Sequence, residues 1–531
     1  MRHDESAWPR AGATAWRICS NPAMALAVDT LPDDPATLKA MLIAERAEVE
    51  RLRLIIKQFQ RHRFGRRAET LEEDQLHLGL EEIEQAEAEA SARAEDPAPA
   101  ERAKRAAARR HNRGALPAHL PRIEQVVDVE DRSCPCCRGA LHRIGEDVSE
   151  RLDVVPAQFR VLVVRRPKYA CRACGDGVRQ APAPARLIEG GLPTEATVAH
   201  VLVAKYADHL PLYRQAQIYR RQGIALDRST LADWVGRAAF LLRPVHARLL
   251  AALEASPKLF ADETTAPVLD PGRGRTKTGQ LWAYARDDRS WAGTDPPAVV
   301  FIYAPDRTSE RPLAHLGGFR GVLQVDGYAG YNALAERGVT LAFCWAHVRR
   351  RFYELAAAGP APIASEALER IGAIYAVESE IRGLAPDERR AARQAASRPL
   401  VEALGAFLRT QLERISGKTR LAEAIRYALA RWDGLSRFLD DGRVELDSNV
   451  VERAIRPLAL TRKNALFAGS DGGGEHWAVV ASLVETCKLN DVDPYAYLAD
   501  VITRIVNGHP NSALDELLPW AYARRTLADA A

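Results

Sequence analysis

Apolar and polar positions change period several times along this chain. From Lys258 the pattern is that of strands: KLFADETTAPVL, QLWAYARDD and PAVVFIYAP are short apolar runs bounded by Gly- and Pro-rich turns. A helical stretch near Ser309 to Leu316 follows. GVLQVD then reads as a short buried strand, YAGYNALAERG as a helix and VTLAFC as a further strand. Upstream the period is helical. Thr194 to Ala207 makes one helix and Leu212 to Gly223 a second that ends on Gly. LDRSTLADWVGRAA begins a third, with Ser229 or Asp227 as its cap. Pro360 to Asp441 is rich in Ala, Leu, Arg and Glu and reads as a helical insertion, after which DSNVVERAIRP starts another helix.

Near the N-terminus, Leu38, Leu42, Val49, Leu52, Ile56 and Phe59 keep heptad spacing, with Glu45 on one seam position. This is either a dimerisation helix or an amphipathic helix packed on its own domain. It runs into a basic turn, Arg61 to Arg67, suited to phosphates or to solvent. These patterns divide the chain as follows. Residues 1–33 are a poorly structured extension (Met24 offers an alternative start), 34–68 a helix and 69–120 a charged linker. Residues 121–186 form a small Cys-bearing domain and 187–255 a helix-turn-helix-like region. Residues 256–358 and 446–490 are two parts of one core, 359–445 the insertion and 491–531 a C-terminal helical segment.

Composition adds only a little. A chain of 531 residues with 47% hydrophobic and 27% charged residues suits a soluble multidomain protein. The net charge of +4 does not by itself announce nucleic acid. Its distribution says more, because the acidic run Glu69 to Glu89 precedes the basic run Arg102 to Arg113. No apolar stretch is long enough to span a bilayer and the first residues lack a secretory core. A cytoplasmic protein is expected, nucleoid-associated when bound to DNA, with its eight Cys as thiols or metal ligands. Cys134 and Cys137 make one CxxC knuckle, Cys171 and Cys174 a second, with strand-like sequence between. That spacing fits a tetrahedral four-thiolate zinc site with no open position for catalysis, and Cys136 is the spare.

The candidate chemistry lies in three carboxylates. Asp262 follows KLFA, Asp326 follows GVLQV, and Glu452 sits early in the helix after the insertion. Three strands, helix, strand, helix, strand is the order of the RNase H fold, which carries one carboxylate on its first strand and another at the end of its fourth. The expected fold is therefore multidomain α+β with an RNase H-like core. Two carboxylates about 4 Å apart repel by about 4 kcal/mol at an effective dielectric of about 20. A cluster of three must take up a proton or bind cations. Mg²⁺ (or Mn²⁺) suits such oxygen ligands, and two ions about 3.5–4 Å apart can drive in-line phosphoryl displacement. Each residue has a plainer reading. Glu263 competes with Asp262, and Asp326-Gly327 is also turn chemistry. Glu452 also suits a pair with Arg456 or a cap with Asn449. Cys344 and His347 form a Cys-x-x-His pair that reads as a buttress of the sheet edge rather than a metal site, since two further ligands are not evident. Gly472 to Gly474 lacks the Lys-Ser/Thr ending of a phosphate loop, which excludes a nucleoside triphosphatase. Arg349, Arg350, Arg453, Arg462 and Lys463 are candidates for the DNA backbone. Arg228, Ser229 and Thr230 are candidates at the start of a recognition helix.

Many ordered motifs together carry a resemblance. They run from HRFGRRAE through CPCC, YACRACG, LPLYRQAQIYRRQGI, STLADWV, ADET, VDGYAGYN, CWAHVRRRF, SNVVERAIRPL, RKNALFAGS and DPYAYL to LLPW. From about residue 30 onward the chain resembles the large transposase of the insertion sequence 66 family. The resemblance implies a DDE transposase whose acidic triad falls on Asp262, Asp326 and Glu452. It also implies recognition of terminal inverted repeats and target DNA, and small accessory proteins of the same element. A homodimer or higher oligomer is expected through the N-terminal helix. VV before Glu452 is a minor departure. The rival expectations are an inactive or repurposed copy acting as a DNA-binding regulator, and a nuclease of the same fold that cleaves without joining.

Overall fold

The computed structural model describes Asp34 and residues 159–170, 178–189, 191–270 and 275–530. The expected N-terminal helix, the linker and all four candidate zinc cysteines lie outside the described residues. Residues 163–531 form one compact unit. It opens with a small antiparallel pair, β1 (Lys168–Ala170) and β2 (Val178–Gln180). Three helices follow: α1 (Glu195–Tyr206), α2 (Leu212–Arg221) and α3 (Arg228–Glu254). Asp227 holds the N-cap position of α3 but makes no side-chain cap bond, and Ser229 lies inside the helix.

The centre is a five-stranded mixed sheet. Its strands are β3 (Lys258–Asp270), β4 (Arg275–Arg286), β5 (Ala298–Ala304), β6 (Val322–Val325) and β7 (Thr340–Phe343), in the order β5-β4-β3-β6-β7. β3, β4 and β5 pair antiparallel, whereas β6 and β7 join β3 in parallel. Two short helices, α4 (Glu310–His315) and α5 (Asn332–Ala335), fall between the last three strands. The order of strands and helices expected over this stretch is the order observed. Leu281 to Ala285 in β4 are fully buried, as a strand covered on both faces requires.

After β7 come α6 (Trp345–Ala357), α7 (Pro362–Glu380), α8 (Pro386–Ala392), α9 (Arg398–Arg414), α10 (Arg420–Leu429) and α11 (Trp432–Ser436). They pack around their own apolar cluster, which includes Trp345, Phe352, Ile371, Leu404, Ile425 and Phe438. The chain then returns to the sheet in α12 (Asn449–Ala465), α13 (Asp471–Leu489), α14 (Pro494–Val506) and α15 (Pro519–Ala530). α13 covers the β5 edge. Its Ser482 and Thr486 hydroxyls accept the outward N–H groups of Phe301 at 2.8 Å and Val299 at 3.1 Å, so the edge is satisfied rather than open. The helices of 195–254 share one apolar core with the sheet, from Val198 through Leu242 and Trp282 to Val480 and Leu498. Among the described residues no helix is long and apolar enough to cross a membrane.

Candidate active site

The parallel register decides what meets at the sheet's centre. The offset of 64 residues that pairs Lys258 with Val322 and Phe260 with Gln324 also relates Asp262 to Asp326. Asp262 and Asp326 each follow the paired stretch by two residues, and continuing its register sets them opposite one another on the same face. β6 and β7 pair Val325 with Phe343, so Cys344 continues the same level on the next strand. The row lies just past the carboxyl ends of β6 and β7, where open α/β sheets place their ligands, while β3 runs on beyond it to Asp270.

Glu452 arrives from the far side of the helical insertion, through a segment stitched to the sheet. Gln324 of β6 is fully buried. Its Nε2 donates to the carbonyls of Glu445 (2.7 Å) and Asp447 (3.1 Å), and its Oε1 accepts the N–H of Glu445 (3.2 Å). Trp345 N–H donates to the Leu446 carbonyl at 3.0 Å. Ser448 N–H donates to the Cys344 Sγ at 3.3 Å. These bonds fix the N-terminus of α12, whose first turn carries Glu452 and whose apolar stripe, Val451 and Leu458, packs on β3 and β4.

The charge balance of the cluster is negative. Burial pushes Asp262 up to about 7, and the nearby Glu263, Asp326 and Glu452 push it the same way, against one N–H bond from Glu263 at 2.8 Å. Asp326 Oδ1 accepts the N–H of Tyr328 at 2.8 Å, so its turn chemistry and its place in the row are compatible. His347 Nδ1 lies 3.9 Å from Glu452 Oε1. Asn449 does not cap Glu452, because its amide donates to Asp447 at 2.8 Å. Glu263 is set apart. Its side chain is 2% exposed, paired with Arg307 and bonded by the Tyr331 hydroxyl at 2.8 Å. Asp262 is thus the carboxylate that faces its acidic neighbours with no cation of its own.

The expected DNA-facing residues are scattered around this centre. Arg349 and Arg350 are exposed on α6 and Arg453 is exposed one residue after Glu452. Lys463 is exposed near the end of α12. Arg462 holds α12 to β3 through Thr264 Oγ1 (2.8 Å) and Thr265 Oγ1 (2.9 Å), an anchoring role the sequence did not reveal. Arg228 and Ser229 are exposed and Thr230 half-buried at the start of α3. That helix continues for 27 residues into the core, with His246 Nε2 2.9 Å from the Phe301 carbonyl oxygen. A further residue the sequence left with two ligands too few is His347. The structure gives Cys344 and His347 a third companion in Glu452.

The comparisons agree with this architecture. Residues 190–476 match the model of the IS66 family transposase, and 482–520 match the IS66 C-terminal element. Residues 131–175 match the zinc-finger binding domain of transposase IS66, and 51–124 match the model described as Transposase C of IS166 homeodomain. Two uncharacterized proteins of Sinorhizobium fredii are similar over nearly their whole length. One, y4jD, is 46% identical over 520 residues, covering 96% of this chain and all of the relative. The other, y4qI, is 44% identical over 540 residues, covering 94% of this chain and 99% of the relative. The protein is thus of the transposase class, with a mixed α+β body, a zinc-finger domain that supports structural Zn²⁺, and DNA as its partner. It belongs to the IS66 transposase family.

Proposed function

We propose that this chain is a DDE transposase that cuts DNA at the ends of its insertion sequence and joins the freed ends to target DNA. The observation that supports this reading is that Asp326 and Glu452 both lie near enough to Asp262 to push its pKa up, with Asp262 and Asp326 following the paired stretch of β3 and β6. The strand order, three antiparallel strands and then two in parallel with the first, supports an RNase H-like core.

The donor set fits hard divalent cations: three carboxylates, partly buried, with Asp262 held near 7 by burial and its acidic neighbours. Asp262, Asp326 and Glu452 would hold two Mg²⁺ or Mn²⁺ ions. Such ions, when bound, supply an activated oxygen nucleophile and charge neutralisation at the leaving oxygen. The chain's own residues do the rest. Asp262 and Asp326 supply oxygens fixed by strand register. Glu452 supplies one from a helix locked to β6 through Gln324. Arg349, Arg350, Arg453 and Lys463 offer positive charge for phosphates, and Arg462 anchors α12 to β3. The zinc-bearing segment and Arg228, Ser229 and Thr230 would take part in recognising the terminal repeats. The N-terminal helix would pair protomers, and accessory proteins of the element would assist.

The test is a labelled terminal-repeat duplex with a target plasmid, in Mg²⁺ or in EDTA, beside Asp326→Asn. Joined products that require Mg²⁺ and vanish in the variant are expected. DNA that is bound but intact in every lane, with accessory proteins added, would overturn the enzymatic reading in favour of a DNA-binding regulator.

A further inference from the structure

The proposed reaction uses Glu452 but gives no role to the two side chains beside it. Cys344 is the N-cap residue of α6 and His347 lies three residues on, so both face the same side of the helix. One ligand atom from each, together with a carboxylate oxygen of Glu452, lie within 4.8 Å of one another. The three come from two helix N-termini that the Ser448 to Cys344 bond holds together.

Each group is prepared for a cation. Cys344 is 1% exposed, and its sulfur accepts the Ser448 N–H at 3.3 Å. Burial pushes the thiol above its ordinary value and Glu452 adds to this, while hydrogen-bond donors on Ser448 and His347 offset only part of the rise. Such donors, at a helix N-terminus, favour the thiolate that a metal needs. The Nδ1 atom of His347 is buried and has no hydrogen-bond partner, and it points within 3.9 Å of Glu452 Oε1. A buried ring nitrogen without a partner is an unmet demand.

We propose that Cys344, His347 and Glu452 form a second metal site, one that takes a thiophilic divalent ion such as Zn²⁺ and by engaging Glu452 withholds that carboxylate from the Mg²⁺ set. One sulfur, one nitrogen and one oxygen make a borderline-soft donor set, with a fourth position left for water. Magnesium, which demands oxygen ligands, is disfavoured there. Binding releases the thiol proton as the Cys344 sulfur–metal bond forms. Glu452 then belongs to two alternative sites of opposite chemical taste. The inhibitory half of this proposal rests on Glu452 acting with Asp262 and Asp326. The binding half does not.

The binding half is tested without any DNA. The full chain is first given one equivalent of Zn²⁺, which the four-thiolate domain takes ahead of the three-ligand site, then titrated with Co²⁺. Cobalt ranks below zinc in affinity and leaves the four-thiolate unit in place. One further Co²⁺ per chain is expected, with a thiolate-to-cobalt charge-transfer band. Cys344→Ser should lose that band, and His347→Ala should bind at least about tenfold more weakly. His347 is the safer variant, since its side chain is 25% exposed and its loss opens no deep cavity. A wild-type titration that coincides with both variants overturns the site and leaves Cys344 and His347 as a buttress. Cobalt bound as expected, but Mg²⁺-dependent cleavage undiminished by added Zn²⁺ in the wild type, overturns the inhibitory half alone. A chain that cleaves nothing under any condition speaks against the transposase reading and leaves the cobalt result standing.

Discussion

Two clusters of buried charge lie a few residues apart and have opposite fates. Lys258 and Asp262 are on the same strand, and Glu445 and Glu452 are on the same returning segment. Around Lys258 and Glu445 the charges answer one another. Arg389 pairs with Glu445 at 2.8 Å and Glu378 at 3.3 Å, and Arg393 pairs with Glu378 at 2.6 Å. Burial alone would raise Glu445, but Lys258, Arg389 and Ser290 outweigh it and bring it down to about 2. Around Asp262 the balance runs the other way: burial, Glu263, Asp326 and Glu452 together push it up to about 7. The first cluster pairs its carboxylates with cations and joins the insertion to the sheet. The second carries an uncompensated acidic excess at Asp262, the kind of perturbed, partly buried group that clusters at functional sites.

The sharpest break of this comparison is Arg393→Ala. Arg393 is fully buried, and it also donates to the carbonyls of Phe438 at 2.9 Å and Asp441 at 3.1 Å. Its removal leaves Glu378 short of a partner inside the protein, and a loss of about 3–5 kcal/mol is expected. Denaturant unfolding would measure it. A loss below about 1 kcal/mol would mean that the cluster is not holding the insertion in place.

The acidic cluster should behave in the opposite sense, and pH reveals it. The folded-state pKa of Asp262 lies above its ordinary 3.8, at about 7. Its contribution is therefore fully favourable below about 4 and is lost as pH rises through 7. Without magnesium, the wild type should lose stability relative to Asp262→Asn across that window, by no more than about 1.4 kcal/mol per pH unit. Unfolding midpoints of the two proteins between those limits test this, and parallel curves would contradict it. Magnesium should then reverse the difference. At about a hundredfold excess over its dissociation constant it should stabilise the wild type by about 2.7 kcal/mol and Asp262→Asn far less. Equal shifts in melting temperature would place the ion elsewhere.

How much of this was legible in the sequence depends on which contacts are local. The strands could be read because apolar runs and turn residues are local signals, and the mixed α+β character follows from them. Asp262 and Asp326 were legible as carboxylates ending apolar runs. The choice between Asp262 and Glu263 was not, because adjacent carboxylates look alike until Arg307 and Tyr331 are seen on one of them. The stitch made by Gln324 and the meeting of Cys344, His347 and Glu452 depend on where the insertion returns, and nothing local encodes that. Arg389 and Arg393 were hidden for a related reason. In a helical stretch dense with Arg and Glu, composition does not say which arginines turn inward.

The smallest expected effect tests why Glu263 stays out of the acidic cluster. Its side chain is nearly inaccessible, yet Arg307, its ion-pair partner, is 46% exposed, so part of that pair faces water. Arg307 is itself stacked 3.9 Å over the Tyr328 ring, and Tyr331 supplies the second bond to the carboxylate. Tyr331 is fully buried and conserves its packing when the hydroxyl is removed. Tyr331→Phe should therefore cost about 1.5 kcal/mol, the worth of one hydrogen bond to a charged group. More telling is the direction in which Glu263 titrates. Burial already raises it, and the Tyr331 and Arg307 bonds lower it. With one bond gone, Glu263 should hold its proton to higher pH. A carbon-detected NMR titration of the carboxyl region would show an upward shift for Glu263 in the variant. If Glu263 did not move, Arg307 alone would be what separates it from Asp262, and the boundary between the compensated and uncompensated charges would run through a single exposed arginine.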